Sequence, residues 1–474
     1  MKIIKKTDIL LNQVRDGHEL SLRNQLSLAI QLSIPSMLAQ LTTIVMEYID
    51  AAMVGSLGAE ASAAIGLVST SIWLFGGLCS SAAMGFSVQV AHLIGAGNET
   101  EAKNVLRQSI VATLILNLVF SIVGLSISGL LPVWLGGDAS ICDDASAYFL
   151  IFCLTMPMLQ LNSLSGAMLR CSGNMNVPSL LNVCTCILDI VFNFLFIFPS
   201  RVINVCGFDI HVWGLGWGVK GAALGTALAF FICASIMTWF LVCRSSKLHL
   251  KGTHGRFWPT AAIIKKALNI GLPMGLEHVV FCGAQIVTTV IVAPLGTAAI
   301  AANGFGVTVE SLCYMPGYGI QESATTLVGQ SLGAKRLSLA RSFSKITVCL
   351  GMLIMTVMGI AMYAFAPAIM NIMSPDATVQ QLTVEALRIE AFAEPMFAAS
   401  IVAYGVFVGA GDTLIPCLMN LGSIWGVRIT LSALLAGSMG LNGVWLAMCI
   451  ELCFRGVIFL VRLASSRWTR KWSS

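Results

Sequence analysis

Charge is scarce in this sequence: of 474 residues, only 10% are Asp, Glu, Lys or Arg. A soluble domain carries about 25%, so an ordinary cytosolic globule is nearly excluded. Whole chemistries are also missing. No G-x-x-x-x-G-K-S/T phosphate loop is present, so ATP is not hydrolysed by that route. There is no H-E-x-x-H pair, and the six histidines are scattered. The chain is therefore not expected to be an enzyme, and no cofactor is expected. Nor is a removable signal peptide, since residues 1–23 are charged and the first apolar run is too long for an h-region.

Apolar residues are abundant, at 57%, and a single core does not grow large enough to absorb them. A membrane-spanning helix needs roughly 20 predominantly apolar residues. The apolar runs between breakers predict twelve spans, near 24–49, 60–92, 105–132, 146–169, 176–199, 218–243, 261–292, 298–329, 343–369, 383–408, 413–436 and 441–463. The fifteen cysteines lie mostly in these runs, where they are small packing residues by default. Only Cys142 and Cys206 fall in loops placed outside, so at most one external disulfide is conceivable. Cys184-x-Cys186 lacks the partners of a metal site.

Basic residues orient the spans. Of the 27 Lys and Arg, Arg201 and Lys220 lie on one side, and Arg388, Arg428 and Arg455 fall inside spans. The rest lie on the other side, which the positive-inside rule makes cytoplasmic. A multi-pass protein of the cytoplasmic (inner) membrane with both termini in the cytoplasm is predicted. The net charge of +5 is thus a topology signal, and no nucleic-acid partner is expected.

The chain repeats at an offset of 238 residues: Pro35 matches Pro273, Leu57-Gly58 matches Leu295-Gly296, Gly95-Ala96 matches Gly333-Ala334, and Pro157-Met158 matches Pro395-Met396. The register breaks at 200–217. An all-α fold of two six-helix lobes related by an axis along the membrane normal follows. Its parts are a cytoplasmic tail (1–23), an N-lobe (24–243), a linker (244–260), a C-lobe (261–463) and a second tail (464–474).

Proline and glycine recur between the halves, but the acids do not. Asp50 corresponds to Thr288, Asp189 to Val427, Glu47 to Gln285, Glu277 to Ala39 and Glu310 to Ile72. A charge at mid-bilayer costs at least about 2.5–3.5 kcal/mol, so these acids read as functional additions to a duplicated frame. Asp189 sits mid-span with Asn182, Thr185 and Asn193 at −7, −4 and +4, one polar helical face. Two carboxylates there could share a proton or hold Na⁺ with neutral oxygens. In the second half, Glu277 follows Pro273 by one turn, Glu310 lies in span eight, and Glu390 and Glu394 form an i, i+4 pair beside Arg388. These and Glu47 are secondary cation-site candidates. Pro35 and Pro273 are the candidate hinges.

The segments Glu47-Tyr48-Ile49-Asp50-x-x-Met53-Val54-Gly55-x-Leu57-Gly58, Gly271-Leu272-Pro273, Gly329-Gln330-x-Leu332-Gly333-Ala334 and Gly409-Ala410-Gly411-Asp412-Thr413, in this order and duplicated, resemble the MATE family of multidrug and toxic-compound extrusion transporters over essentially the whole chain. The resemblance implies export of small cationic amphiphiles by antiport with H⁺ or Na⁺. It also implies an N-lobe cation site at Asp50, Asp189 and Thr226, where Na⁺ is one possible occupant. Two C-lobe positions that are acidic in the NorM-like branch read Phe281 and Phe397 here. A monomer is expected. The alternative, a lipid-linked oligosaccharide flippase of a related exporter family, requires basic cleft residues, for which only Arg388, Arg428 and Arg455 are available.

Overall fold

The computed structural model describes residues 2–205, 208–465 and 467–472. Cys206, half of the conceivable disulfide, lies outside them, and Cys142 is a free thiol. In chain order the elements are α1 (Lys2–Arg15), α2 (Leu22–Gly55), α3 (Ala59–Gly95), α4 (Glu99–Ile127), the single turn α5 (Leu131–Trp134), α6 (Ala139–Cys171) and α7 (Asn176–Ile197). The strands β1 (Pro199–Val205) and β2 (Phe208–Leu215) follow, then α8 (Gly218–Trp239), α9 (Ala261–Val292), α10 (Thr297–Gly333) and α11 (Leu337–Met373). The chain ends with α12 (Ala377–Glu390), α13 (Glu394–Gly409), α14 (Leu414–Ser423), α15 (Thr430–Met439) and α16 (Leu441–Ser465).

Among the described residues, ten helices are long and apolar enough to cross a membrane, or eleven when α12 and α13 count as one broken span. The remaining predicted span, α10, carries Glu310 and Glu322 and is not among these helices. It packs against α2, α3, α11 and α13 at the centre of the molecule, and its last three turns are buried without interruption.

The duplication is visible in the packing. Helices α3, α4, α6, α7 and α8 gather around one lobe with α2, and their repeat mates gather around α9 in the same order. Across the lobe boundary, α3 packs on α9 as α10 packs on α2. At the ends of α3 and α10, Gly95 lies against the carbonyl of Gln330 and Gly333 against the carbonyl of His92, with no room for a Cβ on either. Gln330 is the repeat mate of His92, so one contact is the other seen after a half-turn. Gly58 and Gly296 open α3 and α10 at φ of 124° and 102°, a region that only glycine enters without strain.

Three features differ from the sequence reading. The register break at 200–217 is an antiparallel hairpin, β1 with β2, an addition to the otherwise all-α fold. Span ten is broken: the chain bends by 60° between α12 and α13, where Pro395 has no N–H to continue the helix of α12 and sits instead in the first turn of α13. The N-terminal tail contains α1, whose Leu10, Leu11 and Val14 are buried among Leu28, Leu32, Leu327 and Phe343 of both lobes. Arg15 at its end donates to Gln330 Oε1 (3.0 Å) and the Ser172 carbonyl (3.4 Å).

The lobes close on one another at this terminal face. Arg170 pairs with Glu322 at 3.4 Å, Gln330 donates to the Cys171 carbonyl at 2.7 Å, and His92 donates to the Gly409 carbonyl at 2.7 Å. Trp472 meets His92 edge to face, with ring centroids 4.6 Å apart and the planes at 68°.

Candidate functional site

Small residues build the N-lobe site by letting two helices touch. Gly221 and Gly225 are four apart on α8, a spacing that admits close helix approach in membranes. Gly221 lies against the Phe196 carbonyl, and Gly225 lies against Asn193 of α7. Asn193 is thereby fixed one turn above Asp189, which is fully buried. Its amide nitrogen donates to Asp50 Oδ1 at 2.9 Å and to Asp189 Oδ2 at 3.2 Å. One amide therefore clasps a carboxylate from α2 and another from α7, and the two carboxyls lie within interaction distance of each other.

Three further groups stand around the pair. Thr226 of α8 and Tyr148 of α6 are within electrostatic reach of Asp189, and Glu47 stands one turn from Asp50 on the same helix. Asp189 Oδ1 and Asn193 Oδ1 are buried with no hydrogen bond formed. The cluster thus presents oxygen acceptors, two of them unused, and oxygen donors of this hardness suit H⁺ and alkali cations rather than soft metals.

The remaining stripe residues stand apart. The Thr185 hydroxyl donates back to its own helix at the Leu181 carbonyl, 2.8 Å. Asn182 lies seven residues below Asp189, about 10 Å along the helix. Pro35 and Pro273 each lie inside a helix that continues through them. Tyr148 and Gly225 were missed by sequence reasoning. An aromatic residue in an apolar helix and one glycine among 44 carry little signal, although the Gly221-x-x-x-Gly225 spacing was there to read.

The C-lobe holds a second, differently built cluster. Glu277 accepts from Asn420 at 2.5 Å; Asn420 is the repeat mate of Asn182. Glu310 is buried, and Glu390 and Glu394 are wholly so, with no hydrogen bond to any of their four carboxylate oxygens. Glu390 ends α12 and Glu394 opens α13, so the expected i, i+4 pair does not lie on one helix, although the two carboxyls remain within electrostatic reach of each other. Arg388 does not neutralise them either: it is exposed and lies over the Tyr363 ring, 5.2 Å from its centroid.

Arg428 does meet an acid, and it is one the sequence reading passed over. Glu451 of α16 is wholly buried and accepts from Arg428 at 2.8 Å, from Arg455 Nη2 at 3.2 Å and from Ser423 at 2.6 Å. A π-helical stretch, Ile424–Ile429, carries Arg428 to this position. Phe281 and Phe397 line a cavity of about 140 Å³ with Glu277, Glu310 and Arg455. The flat rings thus stand at the two positions that are acidic in the NorM-like branch.

The family model MatE matches residues 35–195 and 273–434, one copy in each half. A Thermotoga maritima protein named "Probable multidrug resistance protein NorM" is 24% identical over 444 residues, covering 93% of each chain. "Multidrug resistance protein MdtK" of Yersinia pestis is 23% identical over 457 residues, covering 93% of this chain and 95% of its own. Among solved structures, an outward-facing multidrug resistance MATE family transporter of the MOP superfamily superposes with a TM-score of 0.86 at 20% identity, covering 96% of this chain and 98% of its own.

Proposed function

The chain belongs to the MatE family, and from that premise we propose that it is a multidrug exporter of the cytoplasmic membrane that trades small organic cations for H⁺ or Na⁺ at the Asp50–Asp189 pair. The observation that supports this reading is the Asn193 amide held between two membrane-buried carboxylates. With the pair ionised, the site attracts a cationic amphiphile. When a proton or Na⁺ enters, the negative charge is neutralised and the attraction is lost. Asp50 and Asp189 carry the charge, Asn193 holds their spacing, and Thr226 and Tyr148 complete the polar wall. Both termini and the basic loops lie on the cytoplasmic side in this reading, so the lobes are closed inward and the pair is read from outside.

The driving force is set by stoichiometry. A one-for-one exchange of monovalent cations moves no net charge. A tenfold gradient of the coupling ion, about 1.4 kcal/mol, then sustains a tenfold gradient of cargo. A second coupling ion per cycle adds the membrane potential, about 2.3 kcal/mol per 100 mV. The oligosaccharide flippase is disfavoured on a specific observation. Arg428 and Arg455 are both engaged by Glu451 and Arg388 is exposed elsewhere, which leaves no basic cluster for a pyrophosphate.

Efflux of ethidium from membrane vesicles, driven separately by a proton and by a Na⁺ gradient, tests the proposal. Asp50→Asn and Asp189→Asn are each expected to abolish gradient-driven efflux. Full, coupled efflux in both variants would contradict it.

A further inference from the structure

The two lobe boundaries differ in one respect. Where α2 meets α10 and α11, Met37 of α2 packs, with Leu350 and Ile354 of α11, against a buried cluster that includes Ile320 of α10. The repeat mate of Met37 is Gly275 on α9. There a groove of about 530 Å³ stays open between α3, α4 and α9. Ala82, Leu116, Leu268, Leu272 and Gly275 are among its walls.

The chemistry of the groove is one-sided. No ionisable side chain lines it, and its two hydroxyls are already used: Ser81 donates to the Gly77 carbonyl at 2.8 Å and Thr113 to the Ser109 carbonyl at 2.8 Å. An organic cation finds no counter-charge there, whereas a hydrocarbon chain finds continuous apolar contact. The α9 wall runs from Ile264 to Val279, about 22 Å of helix at 1.5 Å per residue. One leaflet of a roughly 30 Å hydrocarbon core is about 15 Å deep, so the groove accepts a leaflet's acyl chain end to end.

Its terminal-face end is marked as a headgroup level. Trp258, 68% exposed, and Phe257, 53% exposed, precede the groove residue Pro259, as aromatic residues do at a membrane interface. Arg256 and Lys265 are exposed on either side of them, offering positive charge to a phosphate.

We propose that this groove binds an anionic phospholipid, with one acyl chain seated between α4 and α9 and the phosphate beside Arg256 and Lys265. The chain packs on the turns around Pro273 and takes the place that Met37 holds in the other boundary, so that lipid completes one side of the lobe interface. The inference rests on the membrane-embedded fold and not on the transport reading, and its readout needs no transport.

The test uses the full chain in lipid nanodiscs containing phosphatidylglycerol or phosphatidylcholine with a photoactivatable acyl chain, with adducts mapped by peptide mass spectrometry. Phosphatidylglycerol adducts on Leu116, Leu268 and Leu272 are expected to exceed by several-fold those on the exposed α11 face of Leu353, Val357 and Ile360. Gly275→Met is expected to remove that excess. A Cβ at this position meets the tip of Leu78 at 3.2 Å and Ser81 Cβ at 3.9 Å, and Ala112→Phe fills the same groove from α4 should Gly275→Met fail to fold. Arg256→Gln with Lys265→Gln is expected to bring phosphatidylglycerol labelling down to the phosphatidylcholine level. Labelling no denser than on α11, or unchanged by both filling variants, would overturn the proposal. Displacement of the lipid by tetraphenylphosphonium would also overturn it, marking the groove as a path for cationic cargo.

Discussion

Gly225 shows how much of the N-lobe site depends on an absent side chain. A methyl at this position collides with Asn193, and overpacking of this kind costs typically 1–3 kcal/mol. Gly225→Ala is therefore expected to displace the amide that bridges Asp50 and Asp189. Coupled efflux should fall while the protein still inserts, a difference visible when vesicle transport is compared with the amount of folded protein on size exclusion. The C-lobe offers the opposite case. Glu451→Gln takes the negative charge from between two buried guanidinium groups, and breaking such a pair from one side costs about 3–5 kcal/mol. A marked fall in the thermal unfolding midpoint in detergent is expected, larger than that for Glu310→Gln, whose carboxylate forms no direct ion pair. Legibility at this scale followed contrast. Asp50, Asp189 and Asn193 stood out as polar groups at helical spacing in apolar runs. Glu451 and Arg455 form an i, i+4 acid–base pair in another such run and went unread, although the signal was of the same kind. Tyr148 had no contrast to offer, because only the crossing of α6 brings it to the pair.

Helices α3 and α10 share glycine and alanine at matched positions (Ala64 with Ala302, Gly66 with Gly304, Gly95 with Gly333), and their ends meet through Gly95 and Gly333. That symmetry was legible because close contacts restrict residue type, so the duplicated contacts kept duplicated residues. The bend between α12 and α13 was not: Pro157, the repeat mate of Pro395, lies inside the unbroken α6, so the proline alone does not decide the matter and tertiary packing does. Helix α1 was legible in period but not in destination. Its apolar residues were assigned to a tail, yet Leu10, Leu11 and Val14 are buried against both lobes. A buried leucine truncated to alanine costs about 2–5 kcal/mol. Leu11→Ala is therefore expected to loosen α1 from the terminal face, seen as faster amide hydrogen exchange in residues 7–15 with little change in α2. Equal exchange in variant and parent would show that α1 is held by Arg15 and Arg336 rather than by its apolar face.

At the scale of the whole molecule, one duplicated scaffold carries two unlike polar centres. The N-lobe pair has no basic partner and presents unused oxygens, whereas much of the C-lobe's charge is locked in the Glu451 triad. The asymmetry fits an exchange site in one lobe and, in the other, a charge network centred on Glu451 beside buried carboxyls, Glu390 and Glu394, that form no hydrogen bond. In the proposed exchange cycle, the contacts from Arg170 to Glu322 and from His92 to Gly409 are the ones that open and re-form. The most direct measurement is the affinity of the purified protein for tetraphenylphosphonium as pH and Na⁺ are varied independently. Competition by at least one of the two ions is expected, weakening binding about tenfold per tenfold rise in that ion above its own Kd. The competition is expected to disappear in the Asp50→Asn, Asp189→Asn double variant. Affinity indifferent to both ions, or competition that survives intact in the double variant, would contradict the account.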